Sequence, residues 1–133
     1  MYEWHGWATL RRTPAVDYDE LDDELDKETM ALVRGLLGEA DTTFNQAADL
    51  RYTNGQWHVW LAGFRNHHDP TITTLFQGIA RTAPGSYGVL YTFDDEASDS
   101  WDRWVMRRGN VFKAQDEDLS PHVGMVEDPE EFN

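Results

Sequence analysis

The dipeptide Asn54-Gly55 limits the folds open to this chain, because it separates two β-prone segments, residues 43–53 and 56–65. Asn-Gly is typical of the two-residue type I′ turn that joins neighbouring antiparallel strands. Side chains of the second segment alternate between two faces, with Trp57, Val59 and Leu61 on one and His58, Trp60 and Ala62 on the other. The sequence therefore predicts an antiparallel hairpin in the middle of the chain.

Two segments with apolar residues at helical spacing flank this hairpin. The first begins at Asp17, which has the spacing of a capping box with Glu20, and ends at Gly38. Its apolar stripe comprises Leu21, Leu25, Leu32, Val33, Leu36 and Leu37. The second opens at Asp69-Pro70, with Asp as the N-cap and Pro at the first helical position, and ends at Ala83-Pro84-Gly85. Its stripe comprises Ile72, Leu75, Phe76, Ile79 and Ala80. Each helix is therefore predicted to pack on a sheet with one face.

Further strands are predicted around these helices. Residues 2–10, 86–93 and 101–108 are β-prone, and an optional short strand at 111–113 follows a turn at Gly109-Asn110. The order β-α-β-β-α-β-β, built on hairpins, favours an α+β domain and argues against a doubly wound parallel sheet. We expect a largely antiparallel sheet of about five strands with both helices packed on one face. The opposite face would then be partly open, and a few of the six Trp residues would lie there.

The length of 133 residues predicts one domain, residues 1–133, with an irregular acidic tail from about residue 120. A hydrophobic content of 40%, including six Trp, five Tyr and six Phe, is enough to form a core without disulfides. The N-terminus lacks the features of a signal peptide, and no apolar run reaches the roughly 20 residues of a membrane span. Together with the absence of cysteine, this predicts a cytoplasmic protein that uses no thiolate chemistry.

The charge balance restricts the class of partner. Asp and Glu number 25 against 11 Lys and Arg, which gives a formal net charge of −14. Nucleic-acid backbones and anionic membranes are bound through clustered cationic side chains, so neither is an expected partner. A basic protein is the natural complement of such a surface.

The chain carries none of the common catalytic or metal-binding motifs. Its five histidines lack the HxxxH or HxH spacing of a zinc site, and His67 is expected to support a helix entry or to lie in solvent. No GxSxG motif or phosphate-binding glycine loop occurs, and sequence alone assigns no pair of carboxylates to a cleft. We therefore predict no catalytic residue, no metal and no cofactor.

Acidic residues are concentrated in two clusters. The first, within one predicted helix, comprises Asp17, Asp19, Glu20, Asp22, Asp23, Glu24, Asp26 and Glu28. A solvated face and the helix dipole explain the acids of the first turn, but they do not require acids to continue through Glu28, where like charges such as Asp22 and Asp26 repel each other. The second cluster occupies one hairpin and lies beside two Trp residues, which are good anchors of protein interfaces. We expect this hairpin to bind the partner through Asp94, Asp95, Glu96, Asp99, Trp101, Asp102 and Trp104. The alternative, that both clusters serve only solubility, stays open.

Motifs along nearly the whole chain show a family resemblance. They are, in order, Tyr2-Glu3-Trp4-His5-Gly6-Trp7, Leu50-Arg51-Tyr52-Thr53-Asn54-Gly55, Gly63-Phe64-Arg65-Asn66-His67, Ala83-Pro84-Gly85-Ser86-Tyr87-Gly88-Val89-Leu90-Tyr91, Asp94-Asp95-Glu96, Arg108-Gly109, Leu119-Ser120-Pro121 and Glu127-Asp128-Pro129. In these blocks the chain resembles the immunity protein 7 family of bacterial polymorphic toxin systems.

The resemblance implies an α+β immunity protein that binds and silences a toxin made by its own cell or by neighbouring kin. It assigns no catalytic residue and does not identify the toxin. The acidity, an independent observation, fits a basic toxin domain such as a nuclease, which must hold a polyanion. The leading hypothesis is therefore a stoichiometric protein inhibitor. The alternatives are a small enzyme that reverses or prevents toxin damage and an acidic interaction module unrelated to toxins. The sequence leaves the oligomeric state open.

Overall fold

The computed structural model describes residues 1–14, 20–40 and 46–120. Within these ranges it contains two helices and six strands. In chain order they are β1 (Tyr2–Leu10), α1 (Glu20–Ala40), β2 (Gln46–Thr53), β3 (Gln56–Arg65), α2 (Thr71–Thr82), β4 (Tyr87–Asp94), β5 (Asp102–Arg107) and β6 (Asn110–Gln115). The predicted acidic tail and the predicted cap at Asp17 lie outside the described residues.

All six strands form one antiparallel sheet in the order β2-β3-β1-β4-β5-β6. The first strand of the chain lies near the middle of the sheet, where β1 pairs with β3 on one side and β4 on the other. The predicted α+β fold is confirmed, and the optional short strand at 111–113 is the centre of a six-residue β6.

Both helices pack on the same face of this sheet. The buried sheet residues of the core include Tyr2, Trp4, Leu10, Val59, Leu61, Leu90 and Met106, and the helical ones include Met30, Val33, Leu37, Ile72, Phe76 and Ile79. The two helices also contact one another. Since all these side chains belong to one core cluster, the prediction that the helices share one sheet face is confirmed. No helix in the described part of the chain is both long and apolar enough to cross a membrane.

The second helix agrees with the sequence pattern residue by residue. Its buried residues are the predicted Ile72, Leu75, Phe76, Ile79 and Ala80. The helix starts at Thr71, one residue after the predicted position, and Pro70 before it already has helical angles, φ −73° and ψ −4°. The N-cap position therefore belongs to Pro70 and not, as predicted, to Asp69. The Asp69 carboxylate nevertheless accepts a hydrogen bond from the Thr71 backbone N–H at 2.9 Å and so satisfies a donor of the first turn.

The first helix corrects two predictions. It continues through Gly38 to Ala40, so Gly38 does not end it. Leu32 was predicted to belong to the apolar stripe, but its side chain is 64% exposed, and Met30 is buried instead. Successive residues of a helix point about 100° apart, so a stripe that centres on Met30, Val33 and Leu37 turns Leu32 towards solvent.

The tight turns confirm one prediction and correct another. Asn54 and Gly55 have φ of 53° and 79°, the two positive values that a type I′ turn requires. In the β5–β6 hairpin the positive φ values, 51° and 79°, belong to Arg108 and Gly109, so the turn is at these two residues and not at the predicted Gly109-Asn110. Asn110 already pairs with Arg107 as the first residue of β6, and its side-chain amide donates to the Arg108 carbonyl at 3.2 Å.

Candidate partner-binding surface

The predicted site centres on the acidic loop, residues 94–101, between β4 and β5. Hydrogen bonds to Asp94 order its first turn. The Asp94 carbonyl accepts from the N–H of Ala97 at 3.1 Å and of Ser98 at 3.0 Å, and its carboxylate accepts from the Glu96 N–H at 3.0 Å. The acidic side chains are therefore held on a defined backbone turn.

Three carboxylates meet on this turn. Oxygens of Asp94, Asp95 and Glu96 all lie within 4.8 Å of one another. The N-terminal ammonium of Met1 forms an ion pair with Asp95 and lies 3.8 Å from Glu96, while His67 Nδ1 lies 2.6 Å from Glu96. The pKa of the Met1 ammonium is raised, mainly because the ammonium donates a hydrogen bond to Asp95. Carboxylate oxygens suit Ca²⁺ or Mg²⁺, but two cationic or ionisable groups of the chain already approach this cluster.

The base of the acidic loop is supported by the segment that follows β6. The Asp116 N–H donates to the Trp101 carbonyl at 2.8 Å, and the Ser120 hydroxyl donates to the Asp99 carbonyl. The Asp116 carboxylate accepts from the N–H groups of Leu119, at 2.8 Å, and Asp118, at 3.0 Å. These hydrogen bonds lower the pKa of Asp116. The loop therefore has a fixed base, although its acidic tip is exposed.

The structure places the two Trp residues of the predicted site apart from each other. Trp101 is only 8% exposed and stacks on Phe93, with ring centroids 5.3 Å apart. Trp104 packs against the core on the face that carries the helices, and its indole N–H donates to Thr92 at 2.9 Å. Of the other members, Asp99 is exposed and Asp102 lies 3.7 Å from Lys113. The acids are therefore accessible, whereas neither indole is an exposed anchor.

The helical acid cluster is not a uniform solvated face. Asp26 is buried, and its carboxylate accepts the Arg12 backbone N–H at 2.9 Å. Glu24 and Glu28 are exposed, with Glu24 lying 3.6 Å from Lys27. Asp17 and Asp19 lie outside the described residues. At least one acid of this cluster therefore has a structural role in holding the segment after β1.

A second surface is the sheet face opposite the helices, which we call the open face; the sequence predicted a few Trp residues there without naming a site. Trp7 and Trp60 are direct neighbours on β1 and β3, and they are 42% and 43% exposed. On the next row His5 lies between Ala62 and Tyr91. The alternation of side chains along β3 indicated this exposure, because it placed Trp60 on the face opposite Leu61.

The acidic loop and the open face adjoin. Trp101 lies 5.9 Å from the His5 ring, measured between centroids, and His5 is part of the open face. His5 Nε2 in turn lies 2.6 Å from the Glu3 carboxylate. The acidic loop and the open face are therefore linked through the contact between Trp101 and His5.

The Immunity protein 7 family model matches residues 1–128 of this chain. The chain belongs to the Immunity protein 7 family. It is therefore an immunity protein, a protein that protects against a toxin, and the resemblance found in its sequence motifs is confirmed. Searches of curated proteins and of solved structures found no match to the chain.

The longest motif of this Immunity protein 7 chain has a clear structural role. In the block from Ala83 to Tyr91, Gly85 donates its N–H to the Arg11 carbonyl at 2.9 Å, and Ser86 accepts the Arg11 N–H at 3.0 Å. A Cβ at Gly85 would lie 2.1 Å from the Thr13 carbonyl oxygen, so a larger residue cannot fit without backbone movement. The motif therefore locks the end of β1 against the start of β4 and stabilises the middle of the sheet.

Proposed function

We propose that this protein binds a cognate, basic, nuclease-like toxin domain of a bacterial polymorphic toxin system and neutralises it by stoichiometric association. The observation that carries the proposal is the match of the Immunity protein 7 family model to residues 1–128. The formal net charge of −14 supports the basic character of the toxin, because opposite charges accelerate association and disfavour wrong partners. The cytoplasmic location stays a prediction.

We further propose that the acidic loop is the part of the surface that first attracts the toxin. Asp95, Glu96 and Asp99 are exposed at its tip, and hydrogen bonds within the loop and to Ser120 define its shape. Charges at the rim of an interface mainly change the association rate and its salt dependence. Since Trp101 and Trp104 pack against the protein, their proposed contribution is to support the loop, and the loop contributes charge.

The stoichiometric mechanism is tested by co-expressing the protein with the toxin domain encoded by the neighbouring gene. We expect the two proteins to coelute in size-exclusion chromatography, and toxin activity to disappear only when the inhibitor reaches equimolar amounts. Full protection at a small fraction of the toxin concentration would instead favour an enzyme that reverses or prevents damage. Absence of any complex and of any protection would favour an interaction module unrelated to this toxin.

The role of the acidic loop is tested with the combined substitutions Asp94→Asn, Asp95→Asn and Glu96→Gln. We expect this variant to associate with the toxin more slowly in low salt and to show a weaker salt dependence than the wild type. Surface binding should be measured at about 0.1 M and about 1 M salt, between which the Debye length falls from about 10 Å to about 3 Å.

A matched control removes three exposed acids from α1: Glu24→Gln, Glu28→Gln and Glu39→Gln. It changes the net charge by the same amount, and it leaves the buried Asp26 intact. If the control lowers the association rate as much as the loop variant does, only net charge matters. If the control alone slows association, the toxin contacts α1 instead of the acidic loop. If both variants associate at the wild-type rate, the electrostatic account is wrong. Thermal melts of both variants report whether the fold is preserved.

A further inference from the structure

The open face contains a concavity of about 500 Å³, which lies next to the exposed indoles of Trp7 and Trp60. His5 and Tyr91 line another part of its wall, and the Asp49 carboxylate lies at the β2 side. A concavity of this size is within the range of protein ligand pockets, roughly 300 to 1,000 Å³. Its walls are therefore mostly apolar, with the rings of Trp7, Trp60 and Tyr91 and one acid.

The register of three strands explains why a hollow forms here. Ala47, Ala62 and His5 are consecutive neighbours across β2, β3 and β1. On the adjacent row of the same face, Asp49 is followed by Trp60 and then Trp7. Same-face rows lie roughly 6.5 to 7 Å apart along a strand. The small side chains of Ala47 and Ala62 therefore lie beside the large indoles of Trp60 and Trp7, and this difference in size leaves the hollow.

Among the described residues that line the hollow there is one carboxylate, Asp49, and no Lys or Arg. Asp49 is directly opposite Trp60, and its carboxylate is 2.7 Å from the Arg51 guanidinium at the exposed edge. On the other side His5, which lines the hollow, lies 2.6 Å from the Glu3 carboxylate. An indole face attracts a Lys or Arg side chain within about 6 Å of its centre, and a nearby carboxylate adds to this attraction.

The protein uses the same interaction within its own fold. Four cations lie 5.0 to 5.6 Å from the centres of aromatic rings: Arg34 over Trp57, Arg65 over Trp4, Arg107 over Phe112 and Lys113 over Trp104. Among the described residues, no such cation lies over Trp7 or Trp60. Trp60 stacks on His58 on one side, and Trp7 meets the Tyr87 ring edge-on. Both indoles nevertheless keep more than two-fifths of their surface exposed.

We propose that this hollow binds a Lys or Arg side chain of the toxin, and that Trp7 and Trp60 are the anchors of the complex. This inference rests on the proposed function, because it names the part of the toxin that the open face recognises. The acidic loop, joined to the hollow through Trp101 and His5, attracts the basic toxin, and the hollow then holds one of its cationic side chains. Such a division fits the general pattern in which rim charges set association rates and central aromatic residues set dissociation rates.

Two other occupants fit the hollow less well. A second copy of this chain would carry the same net charge of −14, so two open faces would meet against strong repulsion. An anionic ligand would face the Asp49 carboxylate in the wall of the hollow. A cationic segment of another protein meets neither obstacle.

The test compares Trp7→Ala, Trp60→Ala and Asp49→Asn with the wild type in surface binding to the toxin domain. We expect each Trp variant to dissociate about tenfold faster or more, the change typical of an interface anchor, with little change in association. Asp49→Asn should dissociate several-fold faster. Phe112→Ala is the control, because Phe112 is 49% exposed on the same face but on β6 at its far edge. Thermal midpoints of all variants establish that they fold.

A second measurement identifies the group in the hollow. Trp60 is replaced by the photo-reactive residue p-benzoylphenylalanine, the complex is irradiated, and the cross-linked toxin peptide is identified by mass spectrometry. We expect a peptide with a Lys or Arg whose replacement by Ala weakens wild-type binding but adds little to Trp60→Ala, as coupled residues do. A cross-linked peptide without Lys or Arg, or a cross-link to a second copy of this chain, would overturn the inference.

The outcomes separate this inference from the function on which it rests. If the wild type binds the toxin and both Trp variants dissociate at the wild-type rate, the hollow is not the anchor site, although the proposed function holds. If the wild type itself neither binds nor protects, the proposed function fails, and this role of the hollow fails with it.

Discussion

The packing of the two helices can be tested by truncating Phe76, the central side chain of α2. Phe76 is 0% exposed and belongs to the core cluster that joins both helices to the sheet. Replacement by Ala removes a buried ring and leaves a cavity, which costs about 3 to 5 kcal/mol of unfolding free energy. At roughly 2.1 cal/mol/K per residue, a chain of 133 residues has an unfolding entropy of about 0.28 kcal/mol/K. The thermal midpoint of Phe76→Ala should therefore fall by roughly 10 to 18 °C.

The control for this prediction is Leu32→Ala in α1. Leu32 is 64% exposed, so its truncation should change the unfolding free energy by no more than about 0.5 kcal/mol. Urea denaturation followed by tryptophan fluorescence gives the free energies, and circular dichroism at increasing temperature gives the midpoints. A loss below about 1 kcal/mol for Phe76→Ala would refute the described core. An equal loss for Leu32→Ala would mean that Leu32 packs in the core, as the sequence pattern predicted.

Two further predictions concern the first turn of α2 and the role of metal. Asp69→Ala should lower the unfolding free energy at pH 7 by about 0.5 to 2 kcal/mol, because the carboxylate accepts the Thr71 N–H and pairs with Arg65 at 2.8 Å. Hydrogen bonds from Thr71 lower the pKa of Asp69. Its contribution is therefore complete above the unfolded value of about 3.9 and is lost as the pH falls through the lower folded value. The difference between wild type and variant in urea denaturation should thus be constant from pH 5 to 7 and shrink below about pH 4, and a difference that grows in acid would contradict this account. For metal, EDTA should leave the thermal midpoint unchanged, whereas a midpoint that falls in EDTA and recovers with zinc or calcium would identify the histidines or the Asp94–Glu96 cluster as ligands.

Local patterns in the sequence determined the elements whose signals lie within a few neighbouring residues. Asn54-Gly55 adopts the predicted turn, and the buried residues of α2 are those of its apolar stripe. The alternation of β3 also separated Val59 from Trp60 correctly. Such signals are reliable because a turn, a helical stripe or a strand alternation depends on backbone geometry within one element. The family followed from motifs spread along the chain, and the match to residues 1–128 confirms it.

Lateral packing is decided by residues that are distant in sequence, and only the tertiary structure revealed it. Trp101 precedes β5 and Trp104 is the one aromatic residue within that strand, so no local alternation could direct Trp101 onto Phe93 and Trp104 against the core. Asp26 looks like any other acid of its cluster until the segment after β1 places the Arg12 N–H beside it.

The hollow on the open face depends on the same kind of long-range arrangement. His5 becomes a neighbour of Ala62 and Tyr91 only through the registers of β1 with β3 and β4. A shift of one residue in either register would move these side chains to opposite faces of the sheet. The sequence therefore specifies each strand and its alternation, but the pairing of strands far apart in the chain creates the surface that the toxin is proposed to contact.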